Sequence, residues 1–304
     1  MTKILYIAGY GRCGSTVLAT VLGNHPAMVS VGEVSYLYED WADPLRPCSC
    51  KERLAECGFW RGAVAAGTST TTSGRLIRAL ERASFLPSLW LGRVSAKGRE
   101  EYRVSQEQIL GHALTRSGAA IVVDSSKSAQ LTVGRPVALK KLAGKDVYFL
   151  HLVREGLATL ESRVVTGSNW ALEGHAQESR LPTLRAVVGW VWSNCCASVI
   201  MRRSFGRRRY LLLRYEDFVA DPATSLRKIG DFVGVDTGEL IERVERGQAF
   251  DVGHVVGGNR VRFEKAITLR RSAERSKEQR LTRRQRLLFS LLGGWLNRRY
   301  GYSA

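Results

Sequence analysis

The sequence has few acidic residues and no long apolar run. Asp and Glu number 28 against 46 Lys and Arg, which gives a formal charge of +18. No segment approaches the roughly 18 apolar residues that a membrane-spanning helix requires, so no transmembrane helix is predicted. The N-terminal residues lack the small-residue cleavage site of a signal peptide and lead directly into an apolar run at 4–8. We therefore expect a cytoplasmic protein.

Internal repeats and low-complexity linkers are also absent from the 304 residues. A content of 44% hydrophobic and 24% charged residues is typical of a globular chain, and this length is enough for one large domain. Residues 1–304 are therefore predicted to form a single domain. Residues 35–118 have no strong strand signal and are predicted to form a mostly helical insertion over the ligand-binding face.

The excess of positive charge is concentrated near the C-terminus. Residues 258–304 hold 13 Lys or Arg against 3 Glu, which is +10 of the total +18. We interpret residues 265–304 as a basic helical tail with a solvated face, through which peripheral membrane contact remains open. No helix-turn-helix, zinc finger or exposed aromatic platform is evident, so no nucleic-acid partner is expected.

Three of the six cysteines form a cluster in the sequence. Cys48, Cys50 and Cys57 have the spacing C-x-C-x6-C. A zinc site needs a fourth ligand, and no His or Cys follows at the spacing of a zinc finger. The pattern therefore favours a disulfide or buried thiols over a metal, and no metal is expected.

Short apolar runs separated by helical patterns predict the fold. The runs are nearly all apolar instead of alternating, which is typical of a parallel sheet covered on both faces. Strands that alternate with helices indicate an α/β, doubly wound fold with a central parallel sheet. The predicted strands are 4–8, 120–123, 147–152 and 210–213, and the predicted helices are 15–24, 156–164, 184–203, 222–233 and 281–297.

The stretch GYGRCGST, residues 9–16, has the glycine spacing of a phosphate-binding loop. Gly9 and Gly14 are separated by four residues, but Ser15 replaces the lysine that normally follows. Amide groups at the start of the next helix can hold an anion, and Arg12 adds a cation that suits phosphate. Asp124 is a lone acid after the second predicted strand, so no carboxylate pair for magnesium is present. The loop is predicted to bind a phosphate-like group without a metal.

Other polar groups follow the remaining predicted strands. In a doubly wound sheet, ligands bind beyond the carboxyl ends of the strands. The residues in question are 12–16, 124–127, 154 and 214–217, and we expect all four groups to converge on one face.

Five blocks of sequence form a recognisable series. They are GYGRCGSTVLATVLGNHP (9–26), GE (32–33), VVDSSK (122–127), LHLVREGLATLESR (150–163) and LLRYEDFVADPATSLRKIGDFVGV (212–235). In this order they resemble the sulfotransferases that use 3′-phosphoadenosine 5′-phosphosulfate (PAPS), most of all the bacterial branch, which is similar to the protein-tyrosine and Golgi carbohydrate enzymes. The resemblance implies a P-loop NTPase-like, three-layer fold. It also implies sulfuryl transfer from PAPS, as co-substrate, to a hydroxyl.

The resemblance also implies which residues bind the donor. The 5′-phosphosulfate would be held by the loop, Arg154 and Ser162 would bind the 3′-phosphate, and Tyr215 would meet the adenine. In the segment 254–263, Arg262 is the favoured further contact with the 3′-phosphate and Arg260 is the alternative. The loop residues assigned to donor binding are Arg12, Cys13, Gly14, Ser15 and Thr16.

Three residues are assigned to catalysis on the same basis. Cytosolic relatives use a histidine after the strand equivalent to 119–123, where this chain has none. The tyrosine-sulfating branch uses a glutamate past the loop, which makes Glu33 the predicted general base and His254 its rival. Lys127 and Arg12 would stabilise the charge that develops on the leaving group.

Two other functions remain open at this point. One is a nucleotide-dependent small-molecule kinase with a degenerate phosphate loop, and the other is a non-enzymatic nucleic-acid binder that uses the basic tail. For a sulfotransferase, the acceptor would be a small-molecule, glycan or lipid-linked hydroxyl. Residues 35–118 and 165–185 would shape the site for it.

Overall fold

A central sheet of five parallel strands organises the computed structural model, which describes residues 2–37, 47–66, 71–127, 132–165, 181–269 and 281–303. The strand order is β2-β3-β1-β4-β5, and β6 pairs with β7 in a separate antiparallel ribbon. The strands are β1 (Lys3–Ala8), β2 (Met28–Gly32), β3 (Ile121–Asp124), β4 (Asp146–Val153), β5 (Tyr210–Arg214), β6 (Ala249–Asp251) and β7 (Ala266–Thr268).

Helices connect the strands and cover both faces of the sheet. Short 3-10 turns occur at Val34–Tyr36, Ala83–Phe85, Arg207–Arg209 and Arg260–Phe263, and π-helical turns at Glu107–Gly111 and Cys196–Met201. The α-helices are α1 (Ser15–Gly23), α2 (Arg61–Ala66), α3 (Thr71–Glu81), α4 (Leu86–Trp90), α5 (Ala96–Gln106), α6 (His112–Ser117), α7 (Arg135–Lys141), α8 (Gly156–Val165), α9 (Pro182–Cys195), α10 (Arg202–Phe205), α11 (Tyr215–Ala220), α12 (Pro222–Val233), α13 (Gly238–Glu245) and α14 (Arg283–Arg299).

The predicted α/β fold with a central parallel sheet is confirmed. All four predicted strand segments lie in one sheet, where β1 pairs with β3 on one side and with β4 on the other. The fifth strand, β2, was not predicted, because its five residues include a serine and a glycine and give no distinct apolar run. It pairs with β3 and forms an edge of the sheet.

Alternate side chains of β1 enter two different cores, which makes the fold three-layered. Ile4 and Tyr6 pack among residues of the insertion, whereas Leu5 and Ile7 pack among residues of α1 and α12. Each face of the sheet is therefore buried, as the continuous apolar runs predicted.

A buried network of charges joins the insertion to the sheet. Arg135, at the start of α7, donates to Asp124 at the end of β3 (Nε to Oδ2, 2.9 Å) and also to Glu81 in α3. Glu81 accepts a second hydrogen bond, of 2.9 Å, from the Tyr102 hydroxyl. Asp124 also accepts from the Ser126 amide, so this carboxylate orders the turn that follows β3.

Helix α14 lies within the segment predicted as a basic tail, and one of its sides is buried. Phe289 and Leu296 are 2% and 1% exposed, and the Phe289 ring packs against Trp190 of α9 at 5.4 Å between centroids. A Cβ atom on Gly156 would come within 2.0 Å of Phe289, so α8 and α14 are in close contact. The arginines of α14 therefore stand on a helix that is packed into the fold.

One helical stretch among the described residues is long and apolar enough to cross a membrane by length and composition alone. It runs from Pro182 to Phe205. Polar residues interrupt this stretch, which is why the search of the sequence for a continuous apolar run did not find it. In the fold, 44% of its most apolar window is buried.

Candidate active site

The phosphate loop follows β1 and has the left-handed backbone that its glycines allow. Gly9 and Gly14 have φ angles of 141° and 94°, and Arg12 itself adopts a φ of 73°. A Cβ atom on Gly9 would lie 2.3 Å from the Leu152 carbonyl oxygen, so only glycine lets the loop leave β1 this close to β4. The loop ends at Gly14, and α1 begins at Ser15.

The second loop glycine makes room for an aromatic ring. A Cβ atom on Gly14 would lie 2.2 Å from the Tyr215 ring. Tyr215 is the first residue of α11, directly after β5. The glycine therefore allows Tyr215, predicted to meet the adenine, to pack against the phosphate loop.

A single cleft brings together eight of the eleven predicted site residues. Val17, Asn259 and Val261 also line it and were not predicted. The Asn259 amide donates to the Thr16 hydroxyl at 3.1 Å, so the segment before the last 3-10 turn closes over the loop. The predicted residues in the lining are Arg12, Gly14, Ser15, Thr16, Lys127, Arg154, Ser162 and Tyr215.

Positive charges crowd one another in this cleft. Burial lowers the pKa of the Arg12 guanidinium below its usual value, and repulsion from Arg163, Arg154 and Arg260 lowers this pKa further. Arg163 was not predicted as a site residue. It lies in α8, one residue after Ser162, and its positive charge is the only feature of the sequence that indicates a place in an anion site. Such crowding is expected where a multiply charged anion binds.

Arg154 spans the cleft between β4 and the loop. Its Nη1 donates to the Arg12 carbonyl oxygen at 2.8 Å, and its guanidinium lies 5.1 Å from the centroid of the Tyr215 ring. Trp190 donates to the Arg154 carbonyl oxygen. The Glu155 carboxylate accepts from the amides of Leu157 and Ala158 and so caps α8 instead of neutralising Arg154.

Glu33 and Lys127 form an ion pair at the edge of the cleft. Their side chains are only 7% and 14% exposed. Lys127 has a left-handed backbone with a φ of 68°, and its carbonyl oxygen accepts from the hydroxyls of Tyr6 and Thr132. The backbone of Lys127 is therefore fixed, while its long side chain lines the cleft.

Cys13 and Arg262 lie outside the lining of the cleft. The Cys13 side chain is 2% exposed and packs in the core shared with α1, and its amide donates to the Tyr10 carbonyl within the loop. Arg262 is 3% exposed and donates to the Gly258 carbonyl oxygen at 2.9 Å. Of the two arginines considered for the 3′-phosphate, Arg260 is the one whose charge acts on Arg12.

His254, the rival base, lies against cysteines. Its Nδ1 is 3.3 Å from the Cys57 sulfur and 3.7 Å from the Cys48 sulfur. The imidazole also stacks on Phe59, with 5.5 Å between ring centroids and a 4° interplanar angle. Cys48, Cys50 and Cys57 are free thiols, so the disulfide considered from the sequence is not formed.

Comparisons with known proteins identify the fold and the family. Two solved structures with similar folds are sulfotransferase domains, one from the Synechococcus PCC 7002 olefin synthase and one from the curacin biosynthetic pathway. The first is 21% identical with a TM-score of 0.56, covering 99% of this chain and 95% of that one. The second is 18% identical with a TM-score of 0.57, covering 100% and 99%. A search of curated proteins gives no match. The model of the sulfotransferase family matches residues 5–239, a span that begins within β1 and continues past β5, and the chain therefore belongs to the sulfotransferase family.

Proposed function

We propose that this protein transfers a sulfuryl group from PAPS to the hydroxyl of a small-molecule, glycan or lipid-linked acceptor, with Glu33 as general base. The observation that carries the proposal is the cleft itself. It joins an anion-binding loop, a group of arginines and a carboxylate–ammonium pair within one site. Family membership supports sulfuryl transfer, whereas the donor, the acceptor class and the base are inferred from the residues.

The residues of the cleft fit a donor that carries several negative charges. Amides at the start of α1 favour anions, and Arg12 and Arg154 supply planar donors for phosphate oxygens. With PAPS bound, the loop residues and Arg12 would hold the 5′-phosphosulfate. The donor supplies a sulfuryl group that is attached to a phosphate leaving group.

Arg154 and Ser162 would give selectivity for a 3′-phosphate. Both line the cleft, and Arg154 is 8% exposed, so a contact with an anion there is shielded from water. Tyr215 contacts Arg154 and Gly14 and lines the cleft, where its ring would meet the adenine. ATP has no 3′-phosphate and would not use this pair of residues.

The Glu33–Lys127 pair places the proposed base beside the proposed charge-stabilising group. If the Lys127 side chain turns toward the leaving phosphate, it stabilises the charge that develops there. The Glu33 carboxylate is then free of its ion-pair partner and can accept the proton of the acceptor hydroxyl. The fixed backbone of Lys127 makes this a motion of one side chain.

Ligand binding followed by an assay of transfer tests the proposal. Thermal shift with adenosine 3′,5′-bisphosphate, ATP with magnesium, and an oligonucleotide compares the three functions left open by the sequence. Stabilisation grows with the logarithm of ligand concentration above the dissociation constant. We expect the bisphosphate to stabilise the protein without magnesium, and radiolabelled PAPS to label one of the acceptor classes. Stabilisation by ATP with magnesium alone would identify a kinase, and stabilisation by the oligonucleotide alone would identify a nucleic-acid binder.

A further inference from the structure

Four side chains with metal-binding atoms meet between the insertion and the segment after β6. The sulfur atoms of Cys48, Cys50 and Cys57 and one nitrogen of His254 all lie within 4.8 Å of one another. Cys48 and Cys57 are fully buried, His254 is half-buried and Cys50 is exposed. These residues are separate from the cleft described above.

Three of the six distances among these ligand atoms are close to the edges of a tetrahedron around zinc. With Zn–S bonds of about 2.3 Å and Zn–N bonds of about 2.05 Å, the ligand edges are about 3.8 Å for S···S and about 3.6 Å for S···N. The sulfurs of Cys50 and Cys57 are 3.7 Å apart. The His254 Nδ1 atom lies 3.7 Å from the Cys48 sulfur and 3.3 Å from the Cys57 sulfur. Each of these distances is within about 0.3 Å of the corresponding edge.

The chemistry of the donor set also selects zinc. Thiolates are soft ligands, and three of them with one imidazole form the Cys₃His set found in structural zinc sites. Four protein ligands fill a tetrahedral shell and leave no position for a substrate. The Phe59 ring, stacked on the imidazole, fixes its plane, which is the task that groups around a metal site usually perform.

The cluster lies where two segments are joined by hydrogen bonds. The Ser49 amide donates to the Val255 carbonyl, and the Val255 amide donates to the Ser49 hydroxyl at 2.9 Å. The indole of Trp60 donates to the His254 carbonyl oxygen at 2.9 Å. Residues 48–60 of the insertion are therefore connected to residues 253–255, on both sides of the cluster.

The same segment continues directly to the cleft. Glu33 donates its amide to the Val256 carbonyl, and Val256 donates to the Val31 carbonyl of β2. Three residues further on, Asn259 binds Thr16 and lines the cleft. A fixed position for His254 therefore fixes the segment that closes over the phosphate loop.

We propose that Cys48, Cys50, Cys57 and His254 bind one structural Zn²⁺ ion, which holds the segment 252–262 against the insertion and the phosphate loop. The ion is bound by three thiolates, and the thiol protons are released to solvent on binding. The exposed Cys50 marks the side from which the metal reaches the buried ligands.

Metal content of the purified full-length chain is the first test. Inductively coupled plasma mass spectrometry should find about one zinc ion per chain, as for a closed four-ligand site. The variants Cys57→Ser and His254→Ala should lose most of the zinc, whereas Cys195→Ser, at a half-buried cysteine of α9, should retain all of it. Substoichiometric zinc in the native chain after growth with added zinc would overturn the proposal, as would an equal loss in Cys195→Ser.

Cobalt replacement keeps the proposal testable if the ligand variants do not fold. After exchange of the native chain with Co²⁺, three thiolates in a tetrahedron should give strong sulfur-to-cobalt charge-transfer bands together with visible d–d bands. Cys50→Ser, which changes the exposed ligand, should weaken the charge-transfer bands by about one third. An octahedral spectrum, or a Cys50–Cys57 disulfide found by mass spectrometry in freshly purified protein, would rule out the site.

Hydrogen exchange tests what the ion does to the fold. Removal of zinc by a chelator should increase amide exchange over residues 252–262 while β1 and β4 keep their protection, because the connection at His254 is lost. Unchanged exchange in that segment would show that the ion does not hold it. None of these measurements depends on the donor or on transfer activity, so they stand apart from a test of the proposed function.

Discussion

Two groups of buried charge in this protein are built in opposite ways. In the cleft, Arg12 is surrounded by other arginines, and both burial and their repulsion lower its pKa. Under the insertion, Arg135 lies between the carboxylates of Asp124 and Glu81. The second arrangement is neutralised within the protein and therefore supports the fold. The first is the group of side chains that we propose to bind the negatively charged donor.

Removal of the proposed base should give the largest effect. Glu33→Gln keeps the size of the side chain and a hydrogen-bonding group but abolishes its basicity. Turnover should fall by about 10²–10⁴-fold, the usual contribution of a general base, while the affinity for adenosine 3′,5′-bisphosphate stays within a few fold. Steady-state kinetics and calorimetry measure the two quantities, and Glu56→Gln, at an exposed glutamate, is the control. Normal turnover in Glu33→Gln would remove the base assignment.

The neutralised group should reveal itself through stability. Arg135→Met leaves two buried carboxylates without their cation, so the free energy of unfolding should fall by about 3–5 kcal/mol. Urea titration measures this change. Replacing Arg209, whose ion pair with Asp146 is about one third exposed, should cost less than about 1 kcal/mol. Similar decreases in the free energy of unfolding in both variants would show that the buried network stabilises the fold no more than an exposed ion pair does.

Replacement of a cleft arginine should mainly weaken ligand binding and have less effect on stability. Arg154→Ala should remove the proposed charge-assisted contacts with the 3′-phosphate, which corresponds to about 2–4 kcal/mol of binding free energy for adenosine 3′,5′-bisphosphate. Binding of adenosine 5′-phosphosulfate, which lacks that group, should hardly change, and stability should fall less than in Arg135→Met. Equal losses for the two nucleotides would mean that Arg154 acts by supporting the loop.

A buried histidine with neutral partners provides a third environment. The His151 Nε2 donates to the Asn194 Oδ1, and its Nδ1 shares a hydrogen bond with the Tyr210 hydroxyl, both at 2.9 Å. Burial lowers the pKa of His151 to about 4 from an ordinary value of 6.5. The unfolded chain therefore binds a proton at higher pH than the folded chain. Above pH 6.5 the group adds no pH dependence. As the pH falls from 6.5 toward 4, up to about 3 kcal/mol of stability is lost. Urea titrations between pH 7 and 4.5 should show this slope in the native chain and a flatter one in His151→Gln; identical slopes would contradict the assignment.

The smallest expected effect separates the two arginines near the C-terminal side of the cleft. Arg260→Ala should weaken binding of adenosine 3′,5′-bisphosphate by a few fold without loss of thermal stability, because it removes an exposed charge that repels Arg12. Arg262→Ala should lower the melting temperature, since it removes a buried hydrogen bond to the Gly258 carbonyl worth about 1 kcal/mol. The opposite pattern would assign the ligand contact to Arg262.

The sequence could predict site residues that are adjacent along the chain or that come just after a strand. The loop residues 9–16 are adjacent, and Lys127, Arg154 and Tyr215 each come shortly after a strand, so the geometry of a parallel sheet was enough to bring them together. Ser162 lies within α8 and was predicted only through the resemblance to the family. The fold class followed from the same apolar runs. Arg163 could not be found in this way, because a lone arginine on a helix carries no positional signal.

Features that depend on distant residues could not be predicted. His254, which lies against the three clustered cysteines, is 197 residues away from Cys57 in the sequence. Rules based on the local spacing of metal ligands do not reach that far. In α14, abundant arginines concealed a buried side, although Phe289 and Leu296 are seven residues apart and so share one face of a helix. In this helix the spacing of the apolar residues indicated a buried side, but the interpretation of the segment as a basic tail rested on its net charge.

The central position of β1 has a consequence for the synthesis of the chain. Both of its neighbours, β3 and β4, begin more than a hundred residues later. At ribosomal rates of about 5–20 residues per second, roughly 6 to 20 seconds pass before β3 is made. During this interval, five side chains that end up completely buried lie on a strand whose edges are open to pairing with other nascent chains. We therefore expect slow codons within residues 35–118, whose described part supplies no strand of this sheet, to lengthen the exposure and lower the yield of folded protein.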